Sequence, residues 1–157
     1  MATIREQFRN NAVALISLAI AVGSLGYNTW RNETTEEQRN VRHAAFRVLE
    51  SLGELQEIVD TRYYYLPFDE GAYREGETRI RGFGTVTMVR DLMGLMPAPG
   101  PEVGHDLHRL WQEDFVDLHE LDEQGRHSVA ASEAEQALTA AIRKSRSTIL
   151  DVLASLE

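Results

Sequence analysis

Cysteine is absent from the 157 residues, which excludes disulfides, thiolate metal sites and cysteine nucleophiles. It does not fix the compartment, because many extracytoplasmic proteins also lack cysteine. Lysine is almost missing: Lys144 is the single one among 16 basic residues. Positive charge is in deficit as a whole, with a formal net charge of −9. The deficit is unevenly spread. Residues 1–30 carry Arg5, Arg9 and Glu6 for about +1, and residues 31–157 hold 14 basic and 24 acidic side chains for about −10. A domain of that sign repels phosphate backbones and anionic headgroups, so no nucleic-acid partner is expected.

Catalytic signatures are lacking as well. There is no Gly-x-Ser-x-Gly elbow, and Gly82-Phe83-Gly84 is not followed by the Lys-Ser/Thr that makes a glycine loop a phosphate cradle. Glu102 and His105 form one Glu-x-x-His pair, whereas a di-iron bundle site needs two such pairs and two further glutamates. His119-Glu120-Leu121-Asp122-Glu123 starts like a zinc-protease motif but carries Glu123 where the second histidine belongs. His105 and His108 lie one turn apart and could share a zinc ion, while His43 and His127 stand alone. No enzyme activity, cofactor or metal is expected from these residues.

One long uncharged run is present. No charge occurs between Arg9 and Arg31, and residues 12–30, AVALISLAIAVGSLGYNTW, are mostly apolar. At about 1.5 Å per residue this run spans roughly 28 Å, the thickness of a bilayer's hydrocarbon core. Tyr27 and Trp30 stand at its far end, where amphipathic rings favour the headgroup boundary. The run is read as a single transmembrane anchor in contact with membrane lipid. Two other readings fit fewer residues: a signal peptide cut near Ala21-Val22-Gly23, and a buried helix of a soluble fold. Arg31, Arg39, Arg42 and Arg47 after the run outnumber Arg5 and Arg9 before it. Three of the four lie beyond the immediate flank, and long domains translocate largely regardless of charge. The expected topology is therefore a cell-membrane protein with its N-terminus inside and its C-terminal domain extracytoplasmic. Ala19, Gly23 and Gly26 share one face in a small-xxx-small pattern that would let two such helices associate.

Beyond the anchor the pattern is helical throughout. A capping-box pair, Thr34 and Glu37, could start a new helix, but no Pro or Gly interrupts residues 27–52, which favours continuity with a bend near Asn32. Val41, Ala45, Val48, Leu52, Leu55 and Val59 alternate spacings of four and three, a heptad-like coiled-coil seam. Pro67 predicts an end near Tyr65. A second helix is expected over about 77–96, buried through Ile80, Phe83, Val86, Val89, Met93 and Met96. Pro97, Pro99 and Pro101 break the chain, and a third helix is expected over about 101–122, capped by Gly125. Ser132 and Glu135, or an earlier Ser128, would start the last, whose seam is Leu138, Ile142, Ser145, Ile149, Val152 and Leu156.

The expected fold is all-α: a short basic tail (1–11), a single transmembrane helix (12–30) and an acidic, antiparallel, roughly four-helix bundle (31–157). In architecture alone this resembles the sensor domains of bacterial chemoreceptors and kinases. No motif is shared, and the sequence shows neither a second membrane helix nor a signalling domain. Tyr63, Tyr64, Tyr65, Phe68 and Tyr73 form the most unusual local cluster. Three successive tyrosines cannot all face one core, and exposed tyrosine favours interfaces. The expected function is a membrane-tethered helical interaction or scaffold module that meets a protein partner or another copy of itself. The alternative is a small-ligand-binding, sensor-like bundle with a closed pocket lined by Trp111 and Phe83.

Overall fold

In a computed structural model the protein is all-helical, with no strand among the described residues, 11–68 and 72–156. The side chains of Leu15, Phe68, Ala72 and Tyr73 fall outside that set. Four α-helices are α1 (Ala12–Asp60), α2 (Ala72–Met93), α3 (Gly100–Asp114) and α4 (Val129–Ser155). The chain divides into two compact units, Met1–Asn40 and Val41–Glu157.

Within the first unit, α1 supplies one helix long and apolar enough to cross a membrane, and none of its most apolar stretch is buried. Val13, Ile16, Leu18, Ile20, Val22 and Leu25 are all exposed. These positions circle the helix, so no single apolar stripe exists for a protein core to cover. The reading of residues 12–30 as a buried core helix therefore finds no support here. The polar stretch that follows remains helical, and Thr34 starts no new helix. Its Oγ1 donates to the Trp30 carbonyl at 3.0 Å and Thr35 Oγ1 to the Arg31 carbonyl at 2.8 Å. Both hydroxyls bond back one turn instead of capping.

The second unit is built around one core to which all four helices contribute. The first seam is buried as its spacing predicts: Ala45, Val48, Leu52, Leu55 and Val59 are essentially inaccessible. On α2, Val86, Val89 and Met93 enter the core, but Ile80 is 78% exposed. Gly82 takes the place on the buried face that Ile80 was expected to share. A Cβ on Gly82 would stand 2.7 Å from Trp111 Cζ2, so only glycine lets the indole close onto α2. Trp111 stacks on Phe115 at 5.1 Å, and Phe83 meets Phe115 edge-on at 5.3 Å. Fully burying a side chain of this size contributes roughly 1.5–3 kcal/mol.

The helix limits differ from the sequence expectation in instructive ways. The α-helical part of α1 stops at Asp60, and Thr61–Tyr65 continue as a π turn in which the Leu66 amide bonds the Thr61 carbonyl. Leu66 keeps helical angles although Pro67 follows; its side chain is buried, which outweighs the local steric preference. Helix α2 starts earlier and stops earlier than expected. Helix α3 ends at Asp114, and a separate 3-10 turn covers Asp117–His119. Gly125 caps no helix: with φ of +73° it closes the turn between Leu121 and His127, which form an isolated antiparallel bridge. Ser128 caps α4, accepting from the Ala131 amide at 3.0 Å, while Ser132 lies inside the helix.

Candidate interaction surface

The three successive tyrosines all lie in the π turn. Inserting one residue into the helical hydrogen-bond pattern shifts the phase of everything after it. Arg62 turns inward and is 2% exposed, whereas Tyr64 and Tyr65 turn outward at 55% and 63% exposed. Tyr63 is half-buried and serves as the support. Its ring stacks on His127 at 3.9 Å, meets Tyr64 edge-on at 4.8 Å, and its hydroxyl lies 3.3 Å from Ser132 Oγ. The structure thus brings Tyr63, Tyr64 and Tyr65 to one end of the second unit. Phe68 and Tyr73 belong to the expected cluster, but their side chains lie outside the described residues.

Beneath the tyrosines sits an ionised core residue. The Arg62 guanidinium donates through Nη1 to Thr78 Oγ1 at 3.1 Å and contacts His119 Nδ1 through Nη2 at 3.0 Å. Its Cζ lies 4.2 Å from the Phe115 ring centroid, a cation–π contact. Because arginine only donates, His119 Nδ1 must be the acceptor, which leaves the proton on Nε2. That nitrogen faces Glu75 Oε1 at 3.8 Å. Burial lowers the Arg62 pKa, with Glu75 opposing and Arg79 adding to the effect. Arg62 Nε is buried with no hydrogen-bond partner among the described residues. Part of the cost of desolvating this cation is therefore left for the ring and the two acceptors to offset. This residue was absent from the sequence reading, yet its position continues the seam: three residues after Val59, it falls on the heptad-like core face.

Two open grooves flank the tyrosine-bearing turn. One, of about 310 Å³, lies beside Tyr65 and is lined by Glu57, Thr61, Arg74, Glu77 and Arg81. The other, of about 470 Å³, runs beside Tyr64 between α1 and α4 past Gln56, Asp60, Glu135, Thr139, Arg143 and Arg146. Glu135 first, then slight burial, Tyr63 and Asp60, raise the Tyr64 pKa, so this phenol is held neutral more firmly than usual. Both volumes fall within the range of ordinary ligand sites. The space around Trp111 and Phe83, expected as a closed pocket, is filled by protein: Trp111 is 0% exposed and in contact with Phe115.

The remaining candidates are scattered. Glu102 and His105 are exposed on the first turns of α3. His108 Nε2 lies 3.4 Å from Arg90 Nη1, and burial followed by that cation lowers its pKa. Glu120 leaves the helical region at ψ of 133°, so the zinc-protease-like stretch has no helix to carry it. Among the described residues no three His, Asp or Glu side chains gather as metal ligands. In the first unit, Ala19 is exposed, and Cβ atoms on Gly23 and Gly26 would meet nothing within 4 Å. Comparison with family models, curated proteins and solved structures found no match to this chain.

Proposed function

We propose that this protein is a membrane-tethered interaction module. Residues 12–30 hold it in the lipid of the cell membrane, and the acidic unit that follows, placed on the extracytoplasmic side, presents its tyrosine-bearing end to a protein partner. The observation that carries this reading is the outward pair Tyr64 and Tyr65, 55% and 63% exposed. They sit on a turn backed by Tyr63, His127 and buried Arg62. Tyrosine supplies large contact area at low entropy cost, and a rigid base reduces the ordering that binding requires.

The second unit is read as an antiparallel four-helix bundle. Support comes from three hydrogen bonds whose residue numbers run in opposite directions: Arg42 Nη2 on α1 to the carbonyl of Leu156, just past α4, at 2.8 Å, Gln56 Nε2 on α1 to Thr139 Oγ1 on α4 at 3.1 Å, and Tyr63 in the π turn with Ser132 on α4. In that arrangement the tyrosines and Arg42 lie at opposite ends of the second unit. Ala19, Gly23 and Gly26 offer a face for pairing with another copy inside the bilayer. The sensor-like alternative takes support from the groove beside Tyr64, not from the filled region at Trp111.

A photo-crosslinking residue placed at position 64 or 65 in intact cells tests the reading. Discrete protein adducts are expected there and not from position 150 on α4, where Leu150 is comparably exposed at 51%. Equal or absent adducts at all three positions would overturn it. Alkaline extraction of the same membranes tests the anchor, since a tethered chain stays in the pellet.

A further inference from the structure

The α1–α4 groove beside Tyr64 separates its charges by sign, and they are uncompensated within the fold. At one end Asp60 and Glu135 are half-buried carboxylates with no cation within ion-pair distance among the described residues. One oxygen of each is occupied by a neutral donor: Gln56 Nε2 reaches Asp60 Oδ1 at 2.8 Å, and Thr139 Oγ1 reaches Glu135 Oε1 at 3.1 Å. The second oxygen of each carries no hydrogen bond among the described residues, and the exposed Tyr64 ring lines the same space. At the other end Arg143 and Arg146 are exposed and have no carboxylate within ion-pair distance among the described residues. Elsewhere in the unit Arg47, Arg90, Arg109, Arg126 and Lys144 have carboxylate partners, while Arg79 and Arg81, like this pair, have none within ion-pair distance among the described residues.

Two carboxylates beside an aromatic face suit a guanidinium or ammonium. Two guanidinium groups suit a carboxylate. Along α4 the step from Glu135 to Arg143 or Arg146 is about 12–16 Å. A free amino acid is too short to join the ends. An extended polypeptide at about 3.4 Å per residue covers the distance in four to five residues.

We infer that this groove binds an extended segment of a partner protein, with a basic side chain against Asp60, Glu135 and Tyr64 and an acidic side chain about four residues away against Arg143 and Arg146. The inference rests on the interaction-module reading and adds the chemistry of the partner. Complementary charge at both ends sets register and rejects segments of one sign.

The test uses the full chain in detergent micelles and a fluorescein-labelled pentapeptide, acetyl-Arg-Ser-Thr-Ser-Glu amide, with all-basic and all-acidic versions as controls. Anisotropy should rise with the mixed peptide and less with either control. Glu135→Arg and the double change Arg143→Glu with Arg146→Glu should each weaken mixed-peptide binding by roughly fivefold or more. The double variant should instead prefer the peptide with arginine at both ends. That gain cannot arise from misfolding, and circular dichroism of each variant checks the helices. Equal binding of all three peptides, no binding of the mixed one, or no reversal in the double variant would each overturn the inference. Any of these would leave the crosslinking result at positions 64 and 65 standing, so the two readings fail separately. If the mixed peptide fails while the protein self-associates through the same charges, the occupant is a second copy and this assignment is wrong.

Discussion

At the scale of single residues, Arg62 is the most consequential side chain in the second unit. Removing it whole leaves a large void between Thr78, His119 and Phe115, and Arg62→Ala should cost about 2–4 kcal/mol. Arg62→Met keeps most of the volume and removes the desolvated charge, so its cost should be about 1 kcal/mol or less. Urea denaturation of both variants separates packing from charge, and equal losses would mean the hydrogen bonds dominate. Glycines give a second pair. Gly82→Ala drives a methyl into Trp111 and should destabilise by about 1–3 kcal/mol despite its better helix propensity. Gly84→Ala meets open space and should stabilise by roughly 0.5–1 kcal/mol, as read from thermal midpoints.

Two aspartates carry opposite pH signatures. Burial, then Glu113 and Asp117, raise the Asp114 pKa, so ionising it costs stability above the folded value, and the cost disappears below the ordinary carboxylate value. Backbone bonds from Arg126 and Gln124 lower the Asp122 pKa. Its contribution is present above the unfolded value and lost as pH falls through the folded one. Asp114→Asn should therefore be more stable than the natural chain at pH 7, and Asp122→Asn less stable. The Asp114 difference should fade as the pH falls toward about 4, and the Asp122 difference only as the pH falls below about 4. Thermal melts across that range decide it, and a difference of unchanged size at acid pH would contradict the ionic explanation for either residue.

At the scale of elements, α1 combines two sequences with different apolar patterns. Its first part is apolar around the whole circumference, and its last part, from Val41, is apolar along one seam. A charge at the centre of a lipid-facing helix costs roughly 2.5–3.5 kcal/mol. Leu18→Arg should accordingly shift part of the protein from the membrane pellet to the soluble or degraded fraction. Unchanged membrane recovery would argue against residues 12–30 as the anchor. The π turn is the second element of interest, because it converts a continuing helix into a platform. The turn holds Arg62, which lies on the seam's own spacing, inward and Tyr64 and Tyr65 outward. The heptad spacing contains no notice of it. Pro67, the buried Leu66 and the aromatic contacts of Tyr63 all adjoin it.

For the whole molecule, charge and length support the proposed class of partner. An acidic unit bearing two exposed tyrosines and a groove with both signs of charge suits protein contact better than phosphate contact.

The amino-acid order alone determined that the chain is helical, that residues 12–30 are apolar on every side, and which seam residues on α1 and α4 enter the core. These are local consequences of hydrophobic periodicity, readable because neighbours three and four positions apart share a helix face. Tertiary structure decided the rest. Ile80 is exposed although it fits the α2 pattern, because Trp111 claims the surface at Gly82. Arg62 is buried although it is charged, because Phe115, Thr78 and His119 converge on it from three separate segments. The groove beside Tyr64 exists only where α1 and α4 lie together, and no spacing within either helix encodes what the other places opposite it.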